Sequence, residues 1–143
     1  MYALQRELLV QVADLHEIPV GAYNIRANGS SVERKSTGNI EIINKEDKSG
    51  IEIHIKPGTK RESVHIPVIM SQSGLEEVVY NDFYIGEDAY VTIIAGCGIH
   101  NGGDASTRHD GIHRFFIEKN AHVKYLIPHR FFGKDRKLLL PFL

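Results

Sequence analysis

Phe83-Tyr84-Ile85-Gly86-Glu87-Asp88-Ala89-Tyr90-Val91-Thr92-Ile93-Ile94 returns further along the chain as Phe115-Phe116-Ile117-Glu118-Lys119-Asn120-Ala121-His122-Val123-Lys124-Tyr125-Leu126. Each copy reads two aromatics and Ile, three polar or small residues, Ala, and then Val among alternating positions. The flanks have the period of two that half-buried strands require, and the middle is turn chemistry. A strand-turn-strand unit that recurs suits a stacked β-solenoid, in which each coil buries its apolar face only against its neighbours. The small Ala fits the narrow inside of such a corner. Successive hairpins in an antiparallel barrel or sandwich would space their strands similarly, so that architecture stands as the rival.

The same alternation runs outward from the repeat. Ile40 and Ile42, then Ile51, Ile53 and Ile55, then Val64, Ile66 and Val68 each alternate with polar residues. Asp47-Lys48-Ser49-Gly50 and Pro57-Gly58-Thr59-Lys60 supply Gly or Pro where the chain must reverse. Near the N-terminus, Leu4, Leu8, Leu9, Val12 and Leu15 recur at three- and four-residue steps and predict one amphipathic helix, closed by Pro19 and Gly21. The polar, Gly-rich interval from Cys97 to Asp110 reads as an excursion from the body of the fold. The organisation expected is therefore a helix over residues 1–20, a β core over 21–126 and a tail over 127–143 that lacks strand alternation.

Composition narrows the function classes. Seventeen Lys and Arg against 18 Asp and Glu leave a formal charge of -1, without the basic excess of a nucleic-acid binder. A single cysteine, Cys97, excludes an intrachain disulfide. The N-terminus turns polar too soon for a signal peptide, and no apolar run reaches the ~18 residues of a spanning helix. A cytoplasmic protein with no membrane partner is expected. Neither Gly-x-Gly-x-x-Gly nor Gly-x-x-x-x-Gly-Lys-Ser/Thr occurs, so no nucleotide is bound by a recognised loop.

Cys97, His100, His109 and His113 form a Cys-x2-His-x8-His-x3-His array, a thiol and imidazole set suited to zinc or iron. A lone cysteine is also among the most buried residue types, and by spacing alone Cys97 reads more readily as part of a core than as a ligand. His109 and Asp110 are neighbours on a predicted extended stretch and so point to opposite faces, which argues against a coupled catalytic pair. Thr107-Arg108-His109-Asp110-Gly111 reads as a turn rich in hydrogen bonds. His54 and His65, on separate strands, raise a cupin-like metal site as a rival.

Several motifs occur together in order: Tyr23-Asn24-Ile25-Arg26, Ile55-Lys56-Pro57-Gly58-Thr59-Lys60, Val64-His65-Ile66-Pro67, Tyr80-Asn81-Asp82-Phe83, Ala95-Gly96-Cys97-Gly98-Ile99-His100-Asn101 and His109-Asp110-Gly111-Ile112-His113. Over residues 3–125 the chain resembles the compact SufB/SufD family of iron-sulfur cluster assembly. The resemblance implies a right-handed parallel β-helix core behind the short N-terminal helix. It also implies a non-enzymatic scaffold that carries an iron-sulfur cluster transiently and works with a SufC-like ATPase and a SufB/SufD-like copy. Cys97 is then the candidate sulfur or iron ligand, with His100, His109 and His113 as auxiliary ligands. Family members continue into further coils and a C-terminal helical segment. This chain instead runs Leu126-Ile127-Pro128-His129-Arg130-Phe131-Phe132, which leads to the expectation of a truncated product prone to self-association as a homo-oligomer. Two other functions remain open: a metal-dependent small-molecule enzyme using Cys97 and the His residues, and a non-catalytic β-solenoid interaction module or inactive fragment.

Overall fold

Alternating Ile and Val place an apolar row on one side of each extended segment, and such rows are stable only when another sheet covers them. The computed structural model describes residues 21–101, 106–127 and 129–133, and the described residues form a mainly β fold. Its strands are β1 (Ala22–Ala27), β2 (Ser30–Lys35), β3 (Ile40–Asn44), β4 (Gly50–Ile55), β5 (Lys60–His65), β6 (Val68–Met70), β7 (Glu76–Ile85), β8 (Tyr90–Ile94), β9 (Cys97–Asn101), β10 (Arg108–Ile117), β11 (His122–Leu126) and β12 (His129–Gly133). Among the described residues there is no helix, and the helix expected over residues 1–20 lies outside them.

The strands pair into two sheets. One has the order β10-β7-β4-β3; the other runs β11-β8-β5-β1-β6-β9-β12, with β2 beside β1. Strand β1 serves both arms of the larger sheet, because Ala22 and Tyr23 pair with β5 while Arg26 and Ala27 pair with β6. Only β1–β2 and β3–β4 are antiparallel; the other pairings among the described residues are parallel. This departs from the antiparallel barrel or sandwich that strand spacing also allowed. The β1–β2 hairpin turns at Asn28-Gly29, both with positive φ, as a two-residue type I′ turn requires.

The repeat reappears as register. Phe83 pairs with Phe115, Val91 with Val123 and Cys97 with His129, so the same sequence offset holds in both sheets. The chain thus passes through β7, β8 and β9 and then through β10, β11 and β12, each strand lying against its predecessor. We call each such passage a circuit. The corner between the two sheets repeats too: Gly58, Asp88 and Asn120 stand at φ 75°, 63° and 59°. This left-handed conformation is tolerated best by Gly, Asn and Asp, which accounts for those residue types at one corner. The Gly58 and Asp88 amides donate to the carbonyls of Glu87 and Lys119 one circuit on, at 2.8 and 3.0 Å.

Both sheets contribute to one core that includes Ile40, Ile53, Val64, Phe83, Ile85, Val91 and Ile93. Phe83 stacks on Phe115 with centroids 4.8 Å apart, and on the outer face His54, Tyr84 and Phe116 form a second stack. Asp82 is buried, and its carboxylate accepts from Lys45 Nζ at 2.5 Å and from Arg114 Nε and Nη2 at 2.7 Å. Those contacts tie the β3–β4 connection to β7 and β10. The interval from Cys97 to Asp110 is not an excursion throughout. Cys97–Asn101 is a strand paired with β6, and Arg108 to Gly111, expected as a turn, open the ten-residue β10. In β9 the inward Cys97 and Ile99 pack with Val68 and Met70, and the intervening glycines mask the alternation; at the start of β10 the inward residues are His109, Gly111 and His113, which line a cavity.

Candidate functional site

Strands β7 and β10 carry an inner row that changes character along its length. In β7 the row is Glu77, Val79, Asn81, Phe83 and Ile85; one circuit later it is His109, Gly111, His113, Phe115 and Ile117. The later half packs Phe83, Ile85 and Phe115 against the core, while the earlier half, Val79 apart, is polar or Gly. At the polar end lies a cavity of about 310 Å³ whose wall includes Cys97, His109, Gly111, His113 and Tyr125. The structure therefore brings three of the four sequence-predicted ligands to one cavity. The fourth, His100, occupies β9 in register with Phe132 of β12.

His109 is held by a relay of charged groups. Its Nδ1 lies 2.7 Å from Glu77 Oε1, and Arg26 Nη2 and Nε reach Glu77 Oε2 at 2.8 and 3.1 Å. Burial pushes the Glu77 carboxyl up, but hydrogen bonds from His109 and Arg26 outweigh it and hold the group at about 2. An ionised carboxylate only accepts, so Nδ1 carries the proton and, in neutral His109, Nε2 presents a lone pair. A Cβ at Gly111 would stand 3.4 Å from that Nε2 and 3.0 Å from His113 Nε2. The missing side chain keeps open the space between the two imidazoles.

His113 is committed differently. Its Nε2 accepts from Asn81 Nδ2 at 3.2 Å, and its Nδ1 donates to the Tyr125 hydroxyl. Burial pushes the Tyr125 phenol up to about 12, so it stays protonated and can serve that hydrogen bond. Cys97 is 4% exposed, and burial, followed by the Glu77 charge, pushes its thiol up to about 12. The thiol is neutral at physiological pH and becomes a ligand only by losing its proton as an ion binds. By backbone register, His129 stands one strand beyond Cys97.

No protein-family model matches the chain, no curated protein matches it and no solved structure matches it. The reading therefore rests on the donors themselves. A thiol and imidazoles suit iron or zinc in kind. In arrangement, no group of three or more His, Cys, Asp or Glu among the described residues is set to hold a metal ion.

Arg26, Glu77, Asn81 and Tyr125 escaped the sequence reading. The repeat held a signal for two of them, since the positions one repeat before His109 and His113 are Glu77 and Asn81. Arg26, bound to Glu77 from a distant part of the sequence, has no such signal. His54 and His65 are not brought together. The first stacks on Tyr84 in the smaller sheet and bonds Glu52 at 2.9 Å, and the second lies in the larger sheet with a buried Nδ1 that has no hydrogen-bond partner. A larger open groove of about 680 Å³ lies along the His54–Tyr84–Phe116 stack, away from Cys97.

Proposed function

We propose that this chain is a SufB/SufD-like scaffold subunit of iron-sulfur cluster assembly, a cytoplasmic, non-enzymatic protein that receives iron and sulfur as cargo at the Cys97 cavity. The observation that carries this reading is the convergence of Cys97, His109 and His113 on one cavity, from strands separated by a polar, Gly-rich connection. Parallel pairing at a constant sequence offset and the repeated left-handed corner support the finer reading of the fold as a right-handed parallel β-helix. On this reading a SufC-like ATPase supplies the nucleotide cycle, and a SufB/SufD-like copy, or a second copy of this chain, completes the ligand set.

The chain's own residues would act as donors and orient them. Cys97 gives up its thiol proton when cargo arrives, while Glu77 keeps the His109 imidazole oriented with Nε2 available. Gly111 leaves room beside Phe115 and Tyr125. The cupin-like enzyme has less support, because its candidate pair, His54 and His65, sits on different sheets.

Anaerobic reconstitution with iron and sulfide tests the scaffold role. The protein is expected to take up both with thiolate-to-iron charge-transfer absorption, and Cys97→Ser is expected to lose most of it. Equal uptake by the two proteins would remove Cys97 from the role assigned to it.

A further inference from the structure

We infer that Glu77, locked by Arg26, is a positioning residue that fixes His109 as the Nδ1-protonated tautomer, so that Nε2 and the Cys97 thiolate together take a soft divalent cation, Zn2+ or Fe2+. The inference deepens the scaffold reading and rests on it only for the biological cargo. Its geometry stands separately. An imidazole whose Nδ1–H is given to a carboxylate is the arrangement that orients metal-binding histidines and raises the basicity of the other nitrogen. Here the carboxylate is itself immobilised by Arg26, with side chains only 11% and 9% exposed for Arg26 and Glu77. A merely structural ion pair would be complete with those two residues. The pair instead continues to a third buried group, since the His109 side chain is 6% exposed and lines the same cavity as Cys97.

Cys97 packs on one side against Val68, Met70 and Ile99, and two further features leave room for a cation on its cavity side. Gly111, between the histidines on β10, lacks the side chain that would crowd both Nε2 atoms. His113 has both ring nitrogens engaged, by Asn81 and by Tyr125. His109 Nε2 is therefore the donor ready as it stands, and Cys97 joins it on losing its thiol proton. Binding breaks the Cys97 S–H bond, releases that proton to solvent and forms bonds from sulfur and from His109 Nε2 to the ion, with no redox change. Water or a partner's side chain fills the other positions. Arg26 balances the Glu77 charge, so the approaching ion meets a relay that carries no net charge.

The test uses the full chain, reduced and labelled with 15N at histidine, and Zn2+ alone as the probe. Long-range proton–nitrogen spectra of the free protein are expected to show the His109 proton on Nδ1, and Zn2+ is expected to shift Nε2 while that proton remains. Glu77→Gln is expected to bind Zn2+ ten- to a hundredfold more weakly, the range seen when such partners are removed. It should also populate both His109 tautomers, a change that loss of a structural contact alone would not produce. A proton on Nε2 in the free wild type, or a Glu77→Gln affinity equal to wild type, overturns the inference. The wild-type spectrum decides the matter if Glu77→Gln does not fold. Iron and sulfide uptake with unchanged Glu77→Gln behaviour would sink this inference and leave the scaffold reading. Zn2+ binding as described without such uptake would do the reverse.

Discussion

The two copies of the repeat have nearly the same pattern and different surroundings. In the first, Phe83, Ala89, Val91 and Ile93 are fully buried; in the second, their counterparts Phe115, Ala121, Val123 and Tyr125 are only partly buried. Strand β7 has β4 on one side and β10 on the other, whereas β10 has only β7 among the described strands. Burial here is therefore a property of position in the stack. The N-terminal side of both sheets differs again, because the antiparallel strands β2 and β3 lie there. Strand β2, Ser30-Ser31-Val32-Glu33-Arg34-Lys35, is charged and largely exposed, as suits an edge that should not recruit further strands.

That contrast can be broken by substitution. Phe83→Ala is expected to cost about 3–5 kcal/mol in urea unfolding, as for a fully enclosed ring. Phe115→Ala, with less area to lose, should cost about half of that or less. Equal costs would show that the second circuit is covered as completely as the first. Next in size is Asp82→Ala, which leaves the Lys45 side chain with only the more distant Glu52 at 3.9 Å and should cost about 3 kcal/mol. Removing Arg114, whose side chain is 47% exposed at the same carboxylate, should have a much smaller effect in the same assay.

Acid offers a third comparison. Hydrogen bonds from Arg114, opposed by burial and joined by Lys45, hold the Asp82 carboxyl at about 2, below its ordinary 3.8. A lowered folded-state value means that the unfolded chain binds the proton more readily, so this contribution is present above about pH 4 and lost as pH falls toward 2. Thermal midpoints followed from pH 5 to pH 2 should drop more steeply in wild type than in Asp82→Asn. Parallel slopes would remove Asp82 from the acid response. The smallest effect is expected at the corner, where Asn120→Gly should change stability by less than about 1 kcal/mol, since both residues accept positive φ. Asn120→Val should be clearly worse, because a β-branched side chain is strained there.

Much of the strand content was legible because alternation is local. Ile51, Ile53 and Ile55, or Val91 and Ile93, announce their buried side within a single short strand. The repeat also placed the corners correctly at Asp88 and Asn120. What spacing could not deliver was partnership. Nothing near Glu77 says that Arg26 will reach it, and nothing near Asp82 says that a charged residue will be buried between Lys45 and Arg114. Strand β9 was hidden because Gly96 and Gly98 flank Cys97, and the start of β10 because its inward residues are His and Gly. In β10 those residues line a cavity, where the usual apolar signature of a strand is relaxed, whereas in β9 Cys97 and Ile99 are buried beside Val68 and Met70. Cys97, His109 and His113 were legible as a set by residue type, while the orientation of His109 was not.

The in-register pairing of successive circuits also has a kinetic consequence. The first copy of the repeat is synthesised before the second, so each later strand emerges with its template already made. Only one loop of about thirty residues must close per strand, and lengthening such a loop adds little entropy. A strand that pairs with one about thirty residues before it does not wait for distant chain ends to meet.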